Sequence, residues 1–506
     1  MDQPNNMQPS PYAFPPKKPP VVFPTGRGEL LFGLWTLIFS MAVWNGLFFA
    51  GGSLLFGAAL AGLQLGTALY LRRRGHRFGW YETTLLALCG LMALGYAYSD
   101  DGGMKALILL LLMAVPALGF AVAAGQNHWR AAGVLSLLDS PRVTFGFGFG
   151  CMGEMGRGLR EAFRSSGTVG KKTGAVGLGL LVAVPVMAVM IPLLMSADAA
   201  FEGLLDQLPE FEVEEALNTA LFGAALGVIL YTRGVALHHK AKSEMAPKPI
   251  KGVHPLTVNT ILFAVAAVYL VYLASQLAYF VGGFSGILPE DFTMAEYARR
   301  GFFEMSELAA INLGLMALAV GLVQKETKTP LLTRLLCLFI GVITVFLVCT
   351  ASAKMCMYIG SYGLTRARVM TEVFMIWLAV TTVLVCVWLF REELPYMKVS
   401  MVLGLALCTV LFWADVDAQI ARYNVRAYQT GQLETVDMRH LRMLSSGAVP
   451  YIEELTGDSD PEIAEEAVKI LEDFDLYPGE DWRSWNWTEQ QAAKILDKYQ
   501  PEEVDE

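Results

Sequence analysis

A stripe of charged side chains enters an apolar segment in the middle of the chain. Glu296, Arg300, Glu304 and Glu307 follow one another at helical spacing within residues 293–312, behind a capping-box pattern that predicts the start of a helix. Charges that enter a bilayer are costly unless they face a protein interior or a wet cavity. The stripe therefore predicts a polar surface within a membrane-embedded helix bundle.

Three further polar groups stand at the ends of other apolar runs. One extends over residues 352–372, one over residues 414–424, and the third is Asp198. Because these runs are predicted to end on the same side of a membrane, we expect all four groups to share one face. The predicted cluster consists of Asp198, Glu296, Arg299, Arg300, Glu304, Glu307, Lys354, Tyr358, Tyr362, Arg366, Arg368, Glu372 and Asn424.

Such a cluster has a functional interpretation and a structural one. Arginine and lysine side chains at a membrane surface can bind an anionic substrate, a lipid headgroup or an envelope polymer. A carboxylate base such as Glu304 or Asp198 beside these cations is what a transferase would need. In the structural interpretation, the same residues are interfacial helix ends whose arginines extend to lipid phosphates.

Other motifs carry little chemistry. The glycine run in residues 146–158 contains GxGxxG patterns, but no strand precedes it, so it predicts a flexible loop and not a nucleotide site. The histidines at 238, 239 and 254 have no carboxylate or cysteine at ligand spacing, and none of the seven cysteines forms a CxxC pair. We expect no catalytic residue, no metal and no cofactor.

Apolar runs make up most of the chain and set its fold class. Hydrophobic residues account for 54% of the 506 and charged residues for 17%, against about a quarter charged in soluble domains. Each run is long enough to cross a hydrocarbon layer of about 30 Å. The sequence predicts an all-α, polytopic transmembrane bundle in a lipid bilayer, with about eleven spans at 29–46, 51–71, 82–98, 104–124, 174–196, 216–237, 256–281, 304–323, 332–352, 369–390 and 399–414.

Lysine and arginine set the predicted orientation. If the N-terminus is cytoplasmic, the inner segments hold 24 basic residues and the outer ones, before the tail, hold six. Cytoplasmic loops carry such an excess in membrane proteins. An odd number of spans then places the C-terminus outside the cytoplasm.

The chain divides into three predicted parts. Residues 1–27 are a disordered, proline-rich cytoplasmic leader, and residues 28–414 are the transmembrane bundle with a basic inner loop at 125–172. Residues 415–506 form an acidic, helical, extracytoplasmic tail with a net charge of −14. No basic block indicates nucleic-acid binding.

The sequence of the tail predicts short helices that cover the outer end of the bundle. Asp460 before Pro461 is an N-cap pattern, and Thr488 with Gln491 is a capping box. Tryptophans at 482, 485 and 487 either sit among lipid headgroups or pack against the tail itself.

Six motifs lie from the end of the fifth apolar run onward, three of them in the tail: SAD (Ser196–Asp198), YARRGFF (Tyr297–Phe303), YGLTRAR (Tyr362–Arg368), IARYN (Ile420–Asn424), LSSGAVPYIEEL (Leu444–Leu455) and WRSWN (Trp482–Asn486). Together they resemble a family of bacterial membrane proteins, domain of unknown function 4173, related to the group numbered 4153. The resemblance implies a multi-pass protein of the bacterial cell membrane. It implies no activity and no functional residue.

Three functions compete on these grounds. The first is a non-enzymatic cell-envelope component that binds or senses a partner, such as an envelope protein or an anionic lipid headgroup, through its outer face and tail. The second is a transporter or flippase for an anionic lipid or solute. The third is a membrane-embedded transferase that uses a lipid donor.

Overall fold

The computed structural model describes residues 23–127, 138–165, 213–239, 252–284, 302–324, 329–476 and 481–499, with four isolated positions between 186 and 194. The site residues Asp198, Glu296, Arg299 and Arg300 lie outside the described residues. Most of the predicted span 174–196 and of the leader 1–27 lies outside them too.

Long helices dominate the part of the chain that the structure describes. Within it there is no β-strand, and a single isolated bridge joins Val253 to Val323. The long helices are α1 (Arg27–Phe48), α2 (Leu54–Arg73), α3 (Trp80–Leu94), α4 (Gly102–Ala123), α5 (Met152–Ser165), α6 (Ala224–His239), α7 (Pro255–Phe284), α8 (Phe302–Leu322), α9 (Leu331–Tyr362), α10 (Arg366–Trp388) and α11 (Tyr396–Ala414).

Nine helices in the described ranges are long and apolar enough to cross a membrane. They bear out a multi-pass helical bundle. The shorter α3 has 15 residues and continues as a 3-10 turn over Gly95–Ala97. It nevertheless runs the length of the bundle, since α2 ends and α4 begins at opposite faces. Large apolar side chains such as Leu31, Leu110 and Val271 are exposed on the outside, as expected for surfaces that face lipid.

The segment predicted as a basic inner loop is helical over much of its length. Short helical turns over Asp139–Gly150 lead into α5. Val143, Phe147, Cys151 and Met155 are buried against α6 in one core. These apolar residues recur every four positions, which is the spacing of a helix face. The glycines between these residues obscure the helical periodicity in the sequence.

The tail continues without a break from the last span. It contains α12 (Val416–Gln429), α13 (Met438–Arg442), α14 (Val449–Glu453), α15 (Pro461–Glu472) and α16 (Trp487–Leu496). Asp460 and Asn486 cap α15 and α16 through backbone N–H groups. The capping residue of α16 is thus Asn486, two positions before the predicted Thr488.

One hydrophobic core joins the tail to the bundle. It includes Met92 of α3, Ile108 of α4 and Phe412 of α11, together with Ile420 of α12 and Leu471 of α15. The tail is therefore packed against helix ends and does not hang free. We call this end of the molecule the tail-bearing face; it is formed by residues 45–54, 95–105, 362–368, 414–476 and 481–499.

Candidate functional site

The turn between α9 and α10 is the first part of the tail-bearing face. Gly363 ends α9 with a φ of 73°, a left-handed conformation that favours glycine. Arg368 donates to the carbonyl oxygens of Tyr362 and Gly363 and lies 4.2 Å from the centre of the Tyr358 ring. A cation is favourable at a helix C-terminus, so Arg368 stabilises the end of α9.

Asn424 links this turn to the tail. Its Oδ1 accepts from the Leu364 amide at 2.6 Å, and its Nδ2 donates to the Leu364 carbonyl at 2.9 Å. A side chain on Gly363 would collide with this amide. The predicted site residue Asn424 therefore acts as a buried clamp between α12 and the start of α10.

Arg366 lies at the centre of the tail-bearing face. Its guanidinium is 2.9 Å from the Asp101 carboxylate and 2.6 Å from the Asp417 carboxylate. Asp417 also accepts from the backbone amide of Ser445 at 2.9 Å. Both aspartate side chains are fully buried. Arg366 thus joins the start of α4, the start of α10 and the tail.

Asp415 is a buried carboxyl group at the end of α11. It has a φ of 54° and caps α12 by accepting from the Ala418 amide. Its Oδ2 lies against Gly447 and has no hydrogen-bond partner among the described residues; the same holds for Oδ2 of Asp101. Burial raises the pKa of Asp415 to about 6, and Asp417 and Asp101 act in the same direction. Burial and the charge of Asp417 also raise the pKa of Asp101.

A second carboxyl pair joins α16 to the turn before α4. The Glu489 and Asp100 side chains contact each other, and burial together with the charge of Asp100 raises the pKa of Glu489 to about 7. Nearby, Asn486 donates to the Tyr96 and Ser99 carbonyls, at 3.1 Å each. Because one carboxyl of such a pair can hold a proton, the contact is favourable near neutral pH and below.

A third contact holds the tail at the start of α2. The Leu54 amide donates to the Trp485 carbonyl at 3.3 Å. Arg483 pairs with Asp481 and Glu215 and donates to Asn45 at 3.2 Å. The tail is thus fastened at three separate places, around Arg366, around Asn486 and around Arg483.

The remaining predicted site residues lie along α8, α9 and α10. Lys354 and Glu304 interact electrostatically, whereas Glu307 is exposed. Glu372 accepts from Ser352 of α9 at 2.6 Å and does not pair with Arg368, although the two are four residues apart. Arg368 is already committed to the end of α9. The structure therefore brings Arg366, Arg368 and Asn424 together, with Tyr358 and Tyr362 beside them.

A shallow groove of about 370 Å³ runs along the exposed side of α12. Arg422 and Arg426 lie in it one helical turn apart. Neither guanidinium forms an ion pair or a hydrogen bond with a described residue, although the tail around them is acidic. The sequence analysis included Arg422 in a motif but assigned no role to either arginine. The groove is lined by Leu364, Gln419, Arg422, Tyr423, Arg426, Ala427, Thr430 and Gln432.

A separate polar cluster lies at the other end of the bundle. Glu29 is buried and accepts from Gly26, Tyr70 and Arg74. His238 lies next to it, with Nδ1 3.1 Å from Nε2 of His76. Within the described ranges, no group of three or more histidine, cysteine or acidic side chains is arranged to hold a metal ion.

The chain matches the family model described as "Domain of unknown function (DUF4153)" over residues 86–455. The chain belongs to the DUF4153 family. The match covers nearly three quarters of the chain, from α3 to the end of α14. It includes Arg366, its two aspartate partners and the arginine groove, whereas α15 and α16 follow it.

The DUF4153 description assigns no activity. No curated protein matches the chain, and no solved structure does. The geometry of the tail-bearing face is therefore the basis for a proposed function of this protein. The matching group is the one numbered 4153, which the sequence analysis named as a relative of group 4173.

Proposed function

We propose that this DUF4153 protein is a non-enzymatic component of the bacterial cell envelope that binds a partner through its docked tail. In this proposal the chain crosses the cytoplasmic membrane eleven times, with its N-terminus in the cytoplasm and residues 415–506 outside. We also propose that the chain is related to group 4173.

The observation that carries this proposal is the fixed, acidic outer surface of α15. Ala467, Ile470 and Leu471 are buried in the core shared with the bundle. On the other side, Glu462 and Glu466 are exposed. Because the tail is fastened to the bundle at three places, this acidic surface has a defined position beside the membrane. A rigid patch of one charge favours a partner of the opposite charge, here a basic protein segment.

Charge reversal tests the proposal. In the Glu462→Lys, Glu466→Lys double variant we expect a cross-linked envelope partner to be lost, because the patch would repel a basic segment. The matched control is Glu161→Lys with Glu393→Lys, which makes the same change at exposed positions of the opposite face. Cross-linking in intact cells, followed by purification, measures the adduct. Equal adduct in both variants would contradict this proposal.

The topology rests on different support. Residues 152–158 pack near the end of α6, whereas Glu215, before α6, contacts Arg483 on the tail-bearing face. An eleventh span at 174–196 would carry the chain from one of these faces to the other. A membrane-impermeant thiol reagent should label Ser361→Cys and Ser459→Cys in intact cells but not Glu393→Cys. Labelling of all three, or of Glu393→Cys alone, would reverse or abolish this orientation.

A transporter or flippase for an anionic lipid or solute is the second candidate. The groove with Arg422 and Arg426 favours it, because the groove lies where α9 and α11 end and α10 begins. The transferase hypothesis has less support. Of its two proposed bases, Glu304 is exposed on α8 and Asp198 lies outside the described residues.

A further inference from the structure

The two arginines of the groove have no protein partner among the described residues, in contrast to three other arginines of the tail-bearing face. Arg366, Arg368 and Arg483 are all engaged by carboxylates or carbonyl oxygens. Arg422 and Arg426 have no such partner among the described residues, although the tail carries 22 acidic and eight basic residues. Two guanidinium groups left unpaired in an acidic segment are available to an external anion.

The fold holds these two arginines in place. Opposite them on α12, Asn424 is clamped to Leu364, and Ile420 and Val425 are fully buried. The helix ends at Thr430, followed by Gly431 with a φ of 74°. A helix fixed on its inner side presents its outer arginines at a constant spacing. Binding of a ligand therefore costs little conformational entropy.

The groove lies beside the ends of helices that are long and apolar enough to cross a membrane. Leu364, which lines it, is two residues before the start of α10, and α12 begins two residues after the end of α11. Exposed apolar and aromatic side chains continue from this level along the membrane-spanning helices, including Met357 and Tyr362 of α9 and Trp413 of α11. A ligand in the groove would therefore have its polar end beside α12 and an apolar part against these helices.

We infer that the groove binds the phosphate of an anionic phospholipid in the leaflet that borders the tail. Guanidinium groups pair with phosphate oxygens through two parallel N–H donors. Arg422 and Arg426 supply two such forks. The Tyr423 hydroxyl, which accepts from Gln432 at 3.3 Å, keeps its own proton free to donate. The acyl chains would lie along the exposed surface below Tyr362.

This inference goes beyond the proposed partner binding and does not depend on it. The partner surface is the acidic side of α15, whereas the lipid site is the basic side of α12. Loss of the cross-linked partner with retained lipid, or the reverse, separates the two.

Native mass spectrometry of the full-length protein tests the lipid site. The protein is purified in detergent and titrated with phosphatidylglycerol or with phosphatidylcholine. Each basic residue near an anionic surface contributes about fivefold to affinity. The Arg422→Gln, Arg426→Gln variant should therefore bind the first phosphatidylglycerol roughly 30-fold more weakly. The control variant, Arg439→Gln with Lys494→Gln, removes two exposed tail cations outside the groove and should bind like the parent.

Each arm of the experiment has a decisive outcome. Equal phosphatidylglycerol affinity in the groove variant and the parent would overturn the inference, as would equal loss in the control variant. Equal binding of phosphatidylcholine by the parent would show that the net charge of the headgroup is not recognised and would also overturn it. Competition by millimolar inorganic phosphate alone would identify free phosphate as the ligand. Unchanged thermal unfolding of the groove variant shows that it is folded.

Discussion

The two ends of the bundle hold opposite surpluses of charge. On the tail-bearing face, five acidic residues, Asp100, Asp101, Asp415, Asp417 and Glu489, surround two cations, Arg366 and Lys105. At the other end the buried carboxylate of Glu29 faces Arg74, His239 and Tyr70. The stability of the tail-bearing face therefore depends on the Arg366 cation, and the stability of the other end depends on the Glu29 carboxylate. Changes to these groups should therefore have effects confined to one end.

Removal of Arg366 should have the largest effect. In Arg366→Ala, two fully buried aspartates lose their cation, and removing one partner of a buried pair costs about 3–5 kcal/mol. We expect the tail to become susceptible to limited proteolysis and the thermal unfolding midpoint to fall. Arg366→Lys should recover part of the loss, because it restores the charge without the fork geometry. An undiminished protease resistance in Arg366→Ala would contradict the central role of this residue.

Removal of Glu29 tests the other end. Glu29→Ala leaves Arg74 without its carboxylate and Tyr70 without its acceptor, at an expected cost of about 2–3 kcal/mol, lower than for Arg366 because Arg74 is partly exposed. The unfolding midpoint should fall while the proteolysis of the tail stays unchanged. If the tail loosens as well, the two ends are coupled and the comparison fails.

Mild acid should stabilise the packing of the tail against the bundle. Asp415, Asp101 and Glu489 all have raised pKa values in the folded protein, so the folded state binds more protons than the unfolded state between about pH 4 and 7. Their contribution to stability is therefore complete at low pH and is lost as the pH rises through their folded values. For Asp415 alone, a rise from 3.8 to about 6 corresponds to an effect on the order of 3 kcal/mol.

The measurement is protease resistance of the tail between pH 5 and 8. The charged groups that face these carboxyls are Asp417, Asp100, Arg366 and Lys105. His440 acts in the opposite direction, since burial lowers its pKa and acid must charge it. Asp415→Asn should flatten the profile, while His440→Gln should steepen it. A tail that tightens as the pH rises would refute this account.

The clamp at Asn424 should have the smallest effect. Asn424→Ala removes two hydrogen bonds to Leu364, but water in the adjoining groove can replace them, so we expect a loss of about 1 kcal/mol. Asn424→Asp keeps the acceptor and should fall between the alanine variant and the parent. Thermal unfolding in detergent measures both. A loss as large as that of Arg366→Ala would show that Asn424 does more than fasten the turn.

Local patterns in the sequence predicted the helices well. Runs of apolar residues at 332–352 and 399–414 identified α9 and α11, because a membrane span depends on its own composition. The predicted end of α9 lies ten residues too early, because Ser352, Lys354 and Tyr358 have the composition of a polar connection. They belong to the last turns of a helix of 32 residues that ends at Gly363.

The site was only partly predictable, for a physical reason. Arg366, Arg368 and Asn424 were identified because charged and polar residues at span ends are costly and so stand out. Their partners were not, since Asp101 lies 265 positions before Arg366 in the sequence. Spacing rules connect residues three or four apart, so they favour a pair of Glu372 with Arg368, whereas Glu372 accepts from Ser352, twenty positions away.

The hydrogen bond between Asn486 and the Tyr96 carbonyl spans 390 positions of the chain. During synthesis, the end of α3 enters the membrane long before α16 exists. Until α16 arrives, the carbonyl oxygens of Tyr96 and Ser99 and the apolar residues beside them have no tail to cover them. The tail-bearing face is therefore completed last. A chain released early would expose apolar surface that cellular quality control can recognise.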